Sequence, residues 1–239
     1  MRRYLKFLLS TFTNLLPKFL LFVLTKVFSG KLHIFLAQKL MDGECQVFPT
    51  LDGIRQDHIG RYKFACQYVS KGDKVLDIAS GVGYGSYILS EETDAESIVA
   101  VDKNINAVKY GKRYYKSPKI KFIKGNCLSL LPKNYFDVII SFETIEHIED
   151  DELFIRSLYV SLKQGGYLIL SSPNQHRRLY SSKKFPFHVR HYTPDDIIKL
   201  TRKCGFTTES AFSQPSTKSA EVVSGMEGLT IILVLKKSV

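Results

Sequence analysis

Carboxylates and imidazoles that could move protons cluster in two short segments of this chain. Glu143, Glu146 and His147 follow an apolar, β-branched run. Residues three and four apart meet on one side of a helical turn, so Glu143 is expected beside both Glu146 and His147. A second segment, FPFHVRHYTP at residues 185–194, contributes His188. Such groups suit general acid–base chemistry, in which a side chain takes a proton from a reacting group.

Each of these residues also has a structural interpretation. Glu146 could be a carboxylate favoured at a helix start by the helix dipole, and His147 could be a hydrogen-bonded imidazole without chemistry. We predict that His147, Glu146 and His188 are catalytic, with His147 or His188 acting as the base. Their place supports this, because ligands of parallel sheets bind beyond the carboxyl ends of the strands.

A glycine-rich turn follows the apolar run KVLDIA and predicts a ligand site. Gly81, Gly83 and Gly85 alternate there, and glycine lets a ligand approach the backbone closely. A dinucleotide-binding fingerprint would read GxGxxG or GxGxxA, whereas Ser86 stands at the sixth position here. The pattern therefore argues against a dinucleotide.

Two aspartates indicate the charge of that ligand. Asp77 stands just before the glycine turn, where a carboxylate would repel a pyrophosphate and attract a cation. Asp102 ends the run SIVAVD, where an acid typically accepts both hydroxyls of a ribose. A nucleoside with a positively charged tail and no phosphate satisfies both conditions, and S-adenosylmethionine (SAM) is such a molecule.

Short apolar runs alternate with helical patterns over the middle of the chain. Strands are expected at residues 74–79, 97–102, 119–124, 135–142, 167–171 and 230–235. Helices are expected at residues 57–69, directly after the glycine turn, around residues 107–110, at 150–162 and at 194–204. Gly165-Gly166 should break the fourth of these, and Thr193 should be the N-cap of the last. This alternation is typical of an α/β protein with a parallel sheet and helices on both faces.

The composition is that of a globular protein. The chain has 239 residues, of which 44% are hydrophobic and 24% charged, and this excludes disordered and collagen-like architectures. Four widely spaced cysteines without a CxxC pair exclude a disulfide framework and a zinc finger, and they fit a reducing, cytoplasmic compartment. No apolar stretch of about 18 residues predicts a transmembrane helix.

An N-terminal arm, residues 1–50, carries much of the basic charge. The formal net charge is +11, and residues 1–41 contain seven basic and no acidic side chains. Pro17 and Lys18 interrupt the apolar run, which disfavours a cleaved signal peptide. Two interpretations stay open. Amphipathic helices, broken at Pro17, could lie on an anionic membrane surface, or the arm could cap the main domain (51–239) or pair with a second subunit.

Residues 57–230 resemble the class I SAM-dependent methyltransferases in the order and spacing of their motifs. VLDIASGVGYGS is similar to the first motif, VAVD to the second, GNC to the adenine-contacting turn and LKQGGYLILSSPN to a later strand. The resemblance implies a Rossmann-like, mostly parallel seven-stranded sheet with helices on both faces, preceded by the N-terminal helical arm. It implies a SAM site formed by Arg61, Asp77, Ala79, Gly81, Gly83, Gly85, Asp102, Lys103, Asn126, Cys127, Phe142 and Glu143.

The same resemblance implies a role for several of these residues. Asp77 and the glycine backbone would hold the methionine portion of SAM, and Asp102 the ribose. Asn126 and Cys127 would contact the adenine edge. Arg61, in a segment similar to an HxxRY motif, would approach the SAM carboxylate, and Phe142 would lie near the methionine tail.

The ExxEH segment and the downstream HVRxYT loop resemble two methyltransferase groups. One is found with bacterial glycan and lipopolysaccharide biosynthesis, although its loop usually carries Glu where this chain has His191. The other comprises small-RNA 3′-end 2′-O-methyltransferases, in which two glutamates and two histidines hold a magnesium ion. The second resemblance implies Mg²⁺ or another divalent metal on Glu143, Glu146, His147 and His188, a chemically coherent donor set.

We therefore expect a SAM-dependent methyltransferase that methylates a sugar hydroxyl of a glycan, a lipid-linked glycan or a nucleotide sugar in polysaccharide biosynthesis. It would be cytoplasmic, with the arm placing it on the inner face of a membrane or in a homodimer. The alternatives are an RNA 2′-O-methyltransferase, whose Arg177-Arg178 and Lys183-Lys184 loop could follow phosphates, a quinone or small-aromatic methyltransferase, and a non-enzymatic scaffold of the same fold.

Overall fold

The computed structural model describes residue 24 and residues 30–40, 45–128 and 131–238. Its centre is a single sheet made of β1 Lys74–Ile78, β2 Ser97–Asp102, β3 Ile120–Lys124, β4 Phe136–Phe142, β5 Leu162–Pro173, β6 Phe206–Gln214, β7 Val223–Ser224 and β8 Thr230–Lys237. The strands lie in the order β3-β2-β1-β4-β5-β8-β6-β7.

The first five strands pair in parallel, and β8 runs antiparallel between β5 and β6. This confirms the predicted α/β, mostly parallel Rossmann-like fold. In the part of the chain that the structure describes, the sheet has eight strands where seven were expected. One of them is the two-residue β7, which pairs antiparallel with β6 at the end of the sheet.

Six helices accompany the sheet in the described ranges: α1 Gly30–Leu40, α2 Gln56–Cys66, α3 Tyr84–Glu92, α4 Ile105–Tyr114, α5 Asp151–Ser161 and α6 Pro194–Lys203. Thr193 caps α6 as predicted, because its side chain accepts a hydrogen bond from the backbone N–H of Asp196. Among the residues described, no helix combines the length and apolarity that crossing a bilayer requires.

Successive residues of β1 point to opposite faces of the sheet, and each face has its own core. Val75 packs in a cluster with side chains of α2, α3 and α4. Leu76 and Ile78 pack in a second cluster with side chains of α5 and α6. The period of two in a strand thus explains why both faces are apolar and covered by helices.

The predicted break at Gly165-Gly166 is wrong in position. Helix α5 ends at Ser161, and β5 begins at once with Leu162, which pairs with Phe136. The pairing register then shifts, so that Val138 pairs with Tyr167. The glycines therefore lie in an irregularity inside the strand, where Gly165 adopts a φ of 75° that favours glycine.

Helix α1, part of the basic arm, packs on the main domain. Ala37 belongs to the core cluster that α2, α3 and α4 share, and His33 Nε2 lies 3.1 Å from the hydroxyl of Tyr110 on α4. This packing supports the capping interpretation for α1. The predicted kink at Pro17 and the remainder of residues 1–29, apart from Leu24, lie outside the described residues.

Gly85 on α3 leaves no room for a side chain. A Cβ atom there would lie 1.9 Å from the Tyr62 ring, which is buried and whose hydroxyl donates to Asp77. We expect Gly85→Ala to lower the free energy of unfolding by about 1–3 kcal/mol, the usual cost of overpacking a core. Urea denaturation measures the change, with Glu91→Ala at an exposed position of the same helix as the control. Equal stability of the two variants would contradict the expectation.

Candidate active site

A cleft opens at the carboxyl ends of β1, β2 and β4, with an empty volume of about 1080 Å³ including its open mouth. This is the place where parallel sheets bind ligands. Ten of the predicted site residues line it: Arg61, Ala79, Gly81, Asp102, Lys103, Asn126, Cys127, Phe142, Glu143 and His147. Asp77, Gly83, Gly85, Glu146 and His188 lie behind or beside this lining.

Two strained residues mark the bottom of the cleft. Ala79 follows β1 directly with a φ of 59°, and Glu143 follows β4 directly with a φ of 47°. Residues other than glycine rarely adopt this left-handed conformation, which costs energy and persists mainly at functional sites. Because β1 and β4 are neighbours, both departures from regular strand geometry face the same ligand space.

The glycine turn and Asp102 form one hydrogen-bonded unit. Gly81, with a φ of 56°, donates its backbone N–H to Asp102 Oδ2 at 2.8 Å, and the N–H of Asn104 donates to Oδ1 at 2.8 Å. A Cβ on Gly81 would meet only Cys45 within 4 Å, so this glycine leaves open space toward the cleft. These two backbone donors fix the Asp102 carboxylate at the cleft, where the sequence predicts that it accepts the ribose hydroxyls.

Asp77 lies fully buried beneath the turn instead of lining the cleft. Tyr62 donates its hydroxyl to Oδ1 at 3.0 Å, and Ser86 donates its hydroxyl to Oδ2 at 2.6 Å. Burial raises the pKa of Asp77 to about 7, against the lowering effect of these hydrogen bonds. The carboxyl group thus sets the charge beneath the cleft without contacting its surface.

Arg61 on α2 is buried and only partly paired. Its Nη1 donates to Gln214 Oε1 at 2.6 Å and lies 3.8 Å from Asp57 Oδ2, and no described group accepts from its Nε. Gln214, at the end of β6, also donates to the backbone oxygen of Asp57. A buried guanidinium in the cleft wall with an unused donor suits an anionic group such as a carboxylate.

Several lining residues were not predicted as cofactor contacts, among them His58, Tyr84, Cys45 and Gln46. His58 Nδ1 lies 2.6 Å from the Tyr84 hydroxyl, and burial, followed by the charge of Arg61, keeps the pKa of His58 well below its usual value. Cys45 and Gln46 form part of the wall although they belong to the segment assigned to the arm. His58 stands in the HxxRY segment and Tyr84 in the glycine-rich motif. Cys45 and Gln46 carry no signal in the sequence, because only the folded chain brings them to the cleft.

Glu146, His147 and His188 meet beside the cleft. One ligand atom of each side chain lies within 4.8 Å of those of the other two. Glu146 is fully buried, and neither of its carboxylate oxygens has a hydrogen-bond partner among the residues described. Burial raises the pKa of this carboxyl well above its usual range, and the charge of Glu143 raises it further. A buried, ionised carboxylate without a partner costs free energy, so the Glu146 carboxylate is expected to bind either a proton or a cation.

Hydrogen bonds fix which imidazole nitrogen carries the proton in this group. His147 Nδ1 lies 2.9 Å from the Phe187 carbonyl oxygen, which can only accept, so Nδ1 carries the hydrogen. His191 Nδ1 donates in the same way to the Arg178 carbonyl at 2.5 Å. The Nε2 of neutral His191 then accepts from His188 Nδ1 at 2.7 Å. In their neutral forms, His147 and His188 therefore both carry the hydrogen on Nδ1 and leave Nε2 unprotonated.

Burial and the neighbouring histidines keep His188 neutral. Burial, followed by the charges of His147 and His191, lowers the pKa of His188 to about 4. Burial likewise lowers the pKa of His191. A neutral imidazole whose other nitrogen is held by a partner is the form that accepts a proton or binds a metal.

The predicted contribution of Glu143 to this group is wrong. The helical spacing assumed for residues 143–147 does not apply, because Glu143 is left-handed and only Ile145–His147 form a short 3₁₀ turn. The Glu143 carboxylate instead accepts from the Ser171 hydroxyl at 3.3 Å and lies 3.7 Å from Arg178. The metal-capable group in the described residues therefore has three members.

The HVRHYT loop is bound tightly to the segment that follows Glu146. The N–H of Val189 donates to the Glu146 carbonyl at 2.8 Å. Arg190 donates to the carbonyls of Ile148 and Glu149 and to Asp151, which also accepts from Tyr192. These bonds explain how His188 and His147, 41 positions apart in the numbering, reach one site.

Comparison with known proteins identifies the class of molecule. The sequence profile of the Methyltransferase domain family matches residues 69–203, more than half of the chain. A "Probable S-adenosylmethionine-dependent methyltransferase" of Mycobacterium tuberculosis is 31% identical over 137 residues, 55% of this chain and 48% of that protein. The phosphoethanolamine N-methyltransferase of Triticum aestivum is 36% identical over 103 residues, 42% of this chain and 20% of that protein. The chain spans about half the length, or less, of these relatives.

Solved structures share the fold at low sequence identity. The methyltransferase in a complex with the Haloferax volcanii Trm112 methyltransferase activator has a TM-score of 0.69 at 15% identity, over 85% of this chain and 97% of that chain. A S-adenosylmethionine dependent methyltransferase from Mesorhizobium loti has a TM-score of 0.62 at 12% identity, over 78% and 99%. From the match of its central residues to the family profile, together with this fold, the chain belongs to the class I SAM-dependent methyltransferases.

Proposed function

We propose that this protein transfers the methyl group of SAM to a hydroxyl oxygen of a sugar acceptor. The observation that carries the proposal is the group of Glu146, His147 and His188, with two unprotonated imidazole nitrogens beside the cleft. A sugar hydroxyl must lose its proton as its oxygen attacks the methyl group, and an unprotonated imidazole can accept that proton. The proton acceptor beside the cleft therefore supports a hydroxyl acceptor.

The proposed reaction needs positioning and one proton transfer. The acceptor oxygen attacks the methyl carbon in line with the breaking carbon–sulfur bond, whose electron pair stays on sulfur. The hydroxyl proton passes to the Nε2 of His147, which lines the cleft. Arg61, Asp102, Asn126 and Cys127 are the proposed contacts to the cofactor.

As an alternative to proton transfer to His147, the group of Glu146, His147 and His188 fits a divalent cation, which would take up the imidazole nitrogen that otherwise accepts the proton. The unpartnered carboxylate and the two imidazoles are a donor set for such an ion, and imidazole nitrogen suits Zn²⁺, Fe²⁺ or Ni²⁺ better than Mg²⁺. When bound there, a cation supplies a lowered pKa for a coordinated hydroxyl. Glu143, engaged by Ser171 and Arg178, is not part of the proposed set.

An acceptor panel tests the proposal directly. The full chain is incubated with labelled SAM and nucleotide sugars, lipid-linked glycans, RNA 3′ ends, quinone precursors or phosphoethanolamine, each with and without EDTA. Methylation of a sugar hydroxyl is expected. Methylation of only the amine or a phenol would refute the sugar acceptor, methylation of an RNA 2′-hydroxyl would replace it, and turnover unaffected by EDTA would exclude the cation.

The proposed cofactor site predicts that SAM affinity depends on pH. The pKa of Asp77 is raised to about 7, so the carboxyl is largely protonated below that value, and a sulfonium above it favours the ionised form. SAM should therefore release a proton on binding, and its Kd should fall by up to about tenfold per pH unit as the pH rises toward 7 and then level off.

Calorimetry in buffers of different ionisation enthalpy measures both the affinity and the released proton. Asp77→Asn cannot ionise and should bind SAM with a nearly pH-independent Kd over the same range. Proton uptake by the wild type, or an unchanged slope in the variant, would show that another group is responsible.

A further inference from the structure

The loop between β5 and α6, residues 174–193, carries five basic side chains and no acidic one. Two of them serve the site itself, since Arg178 lies beside Glu143 and Arg190 is bonded to Asp151. The other three, Arg177, Lys183 and Lys184, are exposed, and no ion pair joins them to a carboxylate in the described part of the chain. The loop thus presents positive charge that the protein does not neutralise.

The same loop exposes large apolar side chains. Leu179 is 69% exposed and Phe187 is 47% exposed. Exposed apolar side chains next to uncompensated charge are typical of surfaces that contact another body rather than water. Because the loop follows β5, it lies at the carboxyl edge of the sheet, on the side of the cleft.

This surface is held in place and joined to the catalytic group. The Tyr180 hydroxyl donates to the His188 carbonyl at 3.0 Å, and the N–H of Tyr180 donates to Gln175 Oε1 at 3.0 Å. Phe187, one of the exposed apolar residues, offers its carbonyl oxygen to His147. Whatever binds the loop surface is therefore brought directly beside the proposed base.

We propose that the β5–α6 loop docks on an anionic membrane surface and so presents a lipid-carried acceptor to the cleft. The inference that a lipid carries the acceptor rests on the proposed function, whereas the inference that the loop docks on a membrane does not. Basic side chains around protruding Leu and Phe are the composition of an interfacial membrane contact. Single-stranded RNA would instead need aromatic platforms for its bases, and of the two exposed apolar side chains only Phe187 has a ring, whereas Leu179, the more exposed one, has none.

Vesicle sedimentation tests the docking with the full chain, in the absence of SAM and acceptor. The triple variant R177Q/K183Q/K184Q removes the unpaired charge, and L179S removes the apolar contact. The control K71Q/K116Q/K133Q removes three exposed charges that precede β1, β3 and β4, at the opposite edge of the sheet. The arm is present in every variant, so its own contribution is common to all.

The loop triple variant should bind vesicles of phosphatidylglycerol and phosphatidylcholine about 100-fold more weakly than wild type, since each basic residue near an anionic surface contributes roughly fivefold. L179S should weaken binding further, the control should bind as wild type, and all variants should retain SAM binding.

Equal binding of the loop triple and control variants would overturn the proposal. So would a wild type that ignores vesicles but binds an RNA oligonucleotide through the same three residues. Vesicle binding without sugar methylation would leave the docking intact and refute only the proposed acceptor.

Discussion

Replacement of His147 by asparagine should lower methyl transfer by about 10²- to 10⁴-fold, the range expected when a positioned general base is lost. The asparagine amide can still donate to the Phe187 carbonyl, as His147 Nδ1 does, but it has no counterpart of the free Nε2. Single-turnover kinetics with a methylated acceptor measures the loss. SAM affinity, measured by calorimetry, should stay close to wild type because the proposed cofactor contacts are unchanged.

Two further variants separate chemistry from positioning at His147. His147→Ala removes both nitrogens and should be no more active than the asparagine variant. His176→Asn alters an exposed histidine of the β5–α6 loop and should behave as wild type. If His147→Asn retained full turnover while His147→Ala lost it, the residue would only anchor the loop, and the role of base would be wrong.

Replacement of His191 by asparagine should reduce turnover by about 10- to 100-fold, although His191 belongs neither to the proposed cofactor contacts nor to the three-residue group. The reason is the hydrogen-bond chain from the Arg178 carbonyl through His191 to His188. Asparagine can keep the bond to Arg178 but does not reach His188 as an acceptor. His188 then loses the partner that holds its proton on Nδ1.

Glutamine at position 191 provides the matched rescue. Its side-chain oxygen reaches about as far as Nε2 of histidine and can accept from His188 Nδ1, so His191→Gln should recover much of the activity. Nitrogen chemical shifts of His188 report its tautomer directly, and Zn²⁺ titration reports whether the group still binds a cation. An unchanged His188 tautomer in His191→Asn, or equal activity of the two variants, would contradict the positioning role.

The glycine turn, the two aspartates and the alternation of strands and helices could be predicted because each depends on a short stretch of sequence. The burial of strands such as β4 appears as a continuous apolar run, and the cap at Thr193 is a local signal. By contrast, β6 reads FTTESAFSQ, with polar residues at six of its nine positions. A strand so polar has no apolar periodicity, and it is recognisable only through its pairing with β8.

The errors at the site have the same origin. Spacing in the sequence is a guide to which side chains meet as long as the backbone is a regular helix or strand. The left-handed conformation of Glu143 breaks that regularity. The Tyr84 contact to His58 joins two segments that no motif links, and the Ser86 contact to Asp77 lies within the glycine motif but cannot be read from its spacing. His191 departs from the residue usual in the family resemblance, and its role became evident only from the partners of its two nitrogens.

Cys45 and Gln46 form part of the cleft wall and connect through residues 41–44 to helix α1, which rests on α4. A ligand that fills the cleft gains contacts with Cys45 and Gln46, and so it stabilises this segment in its position against the cleft. Thermodynamic reciprocity requires the converse, that anything which pulls the N-terminal segment away weakens the ligand by the same factor. Occupancy of the cleft should accordingly be measurable in the N-terminal segment, as slower protease cleavage near residue 45.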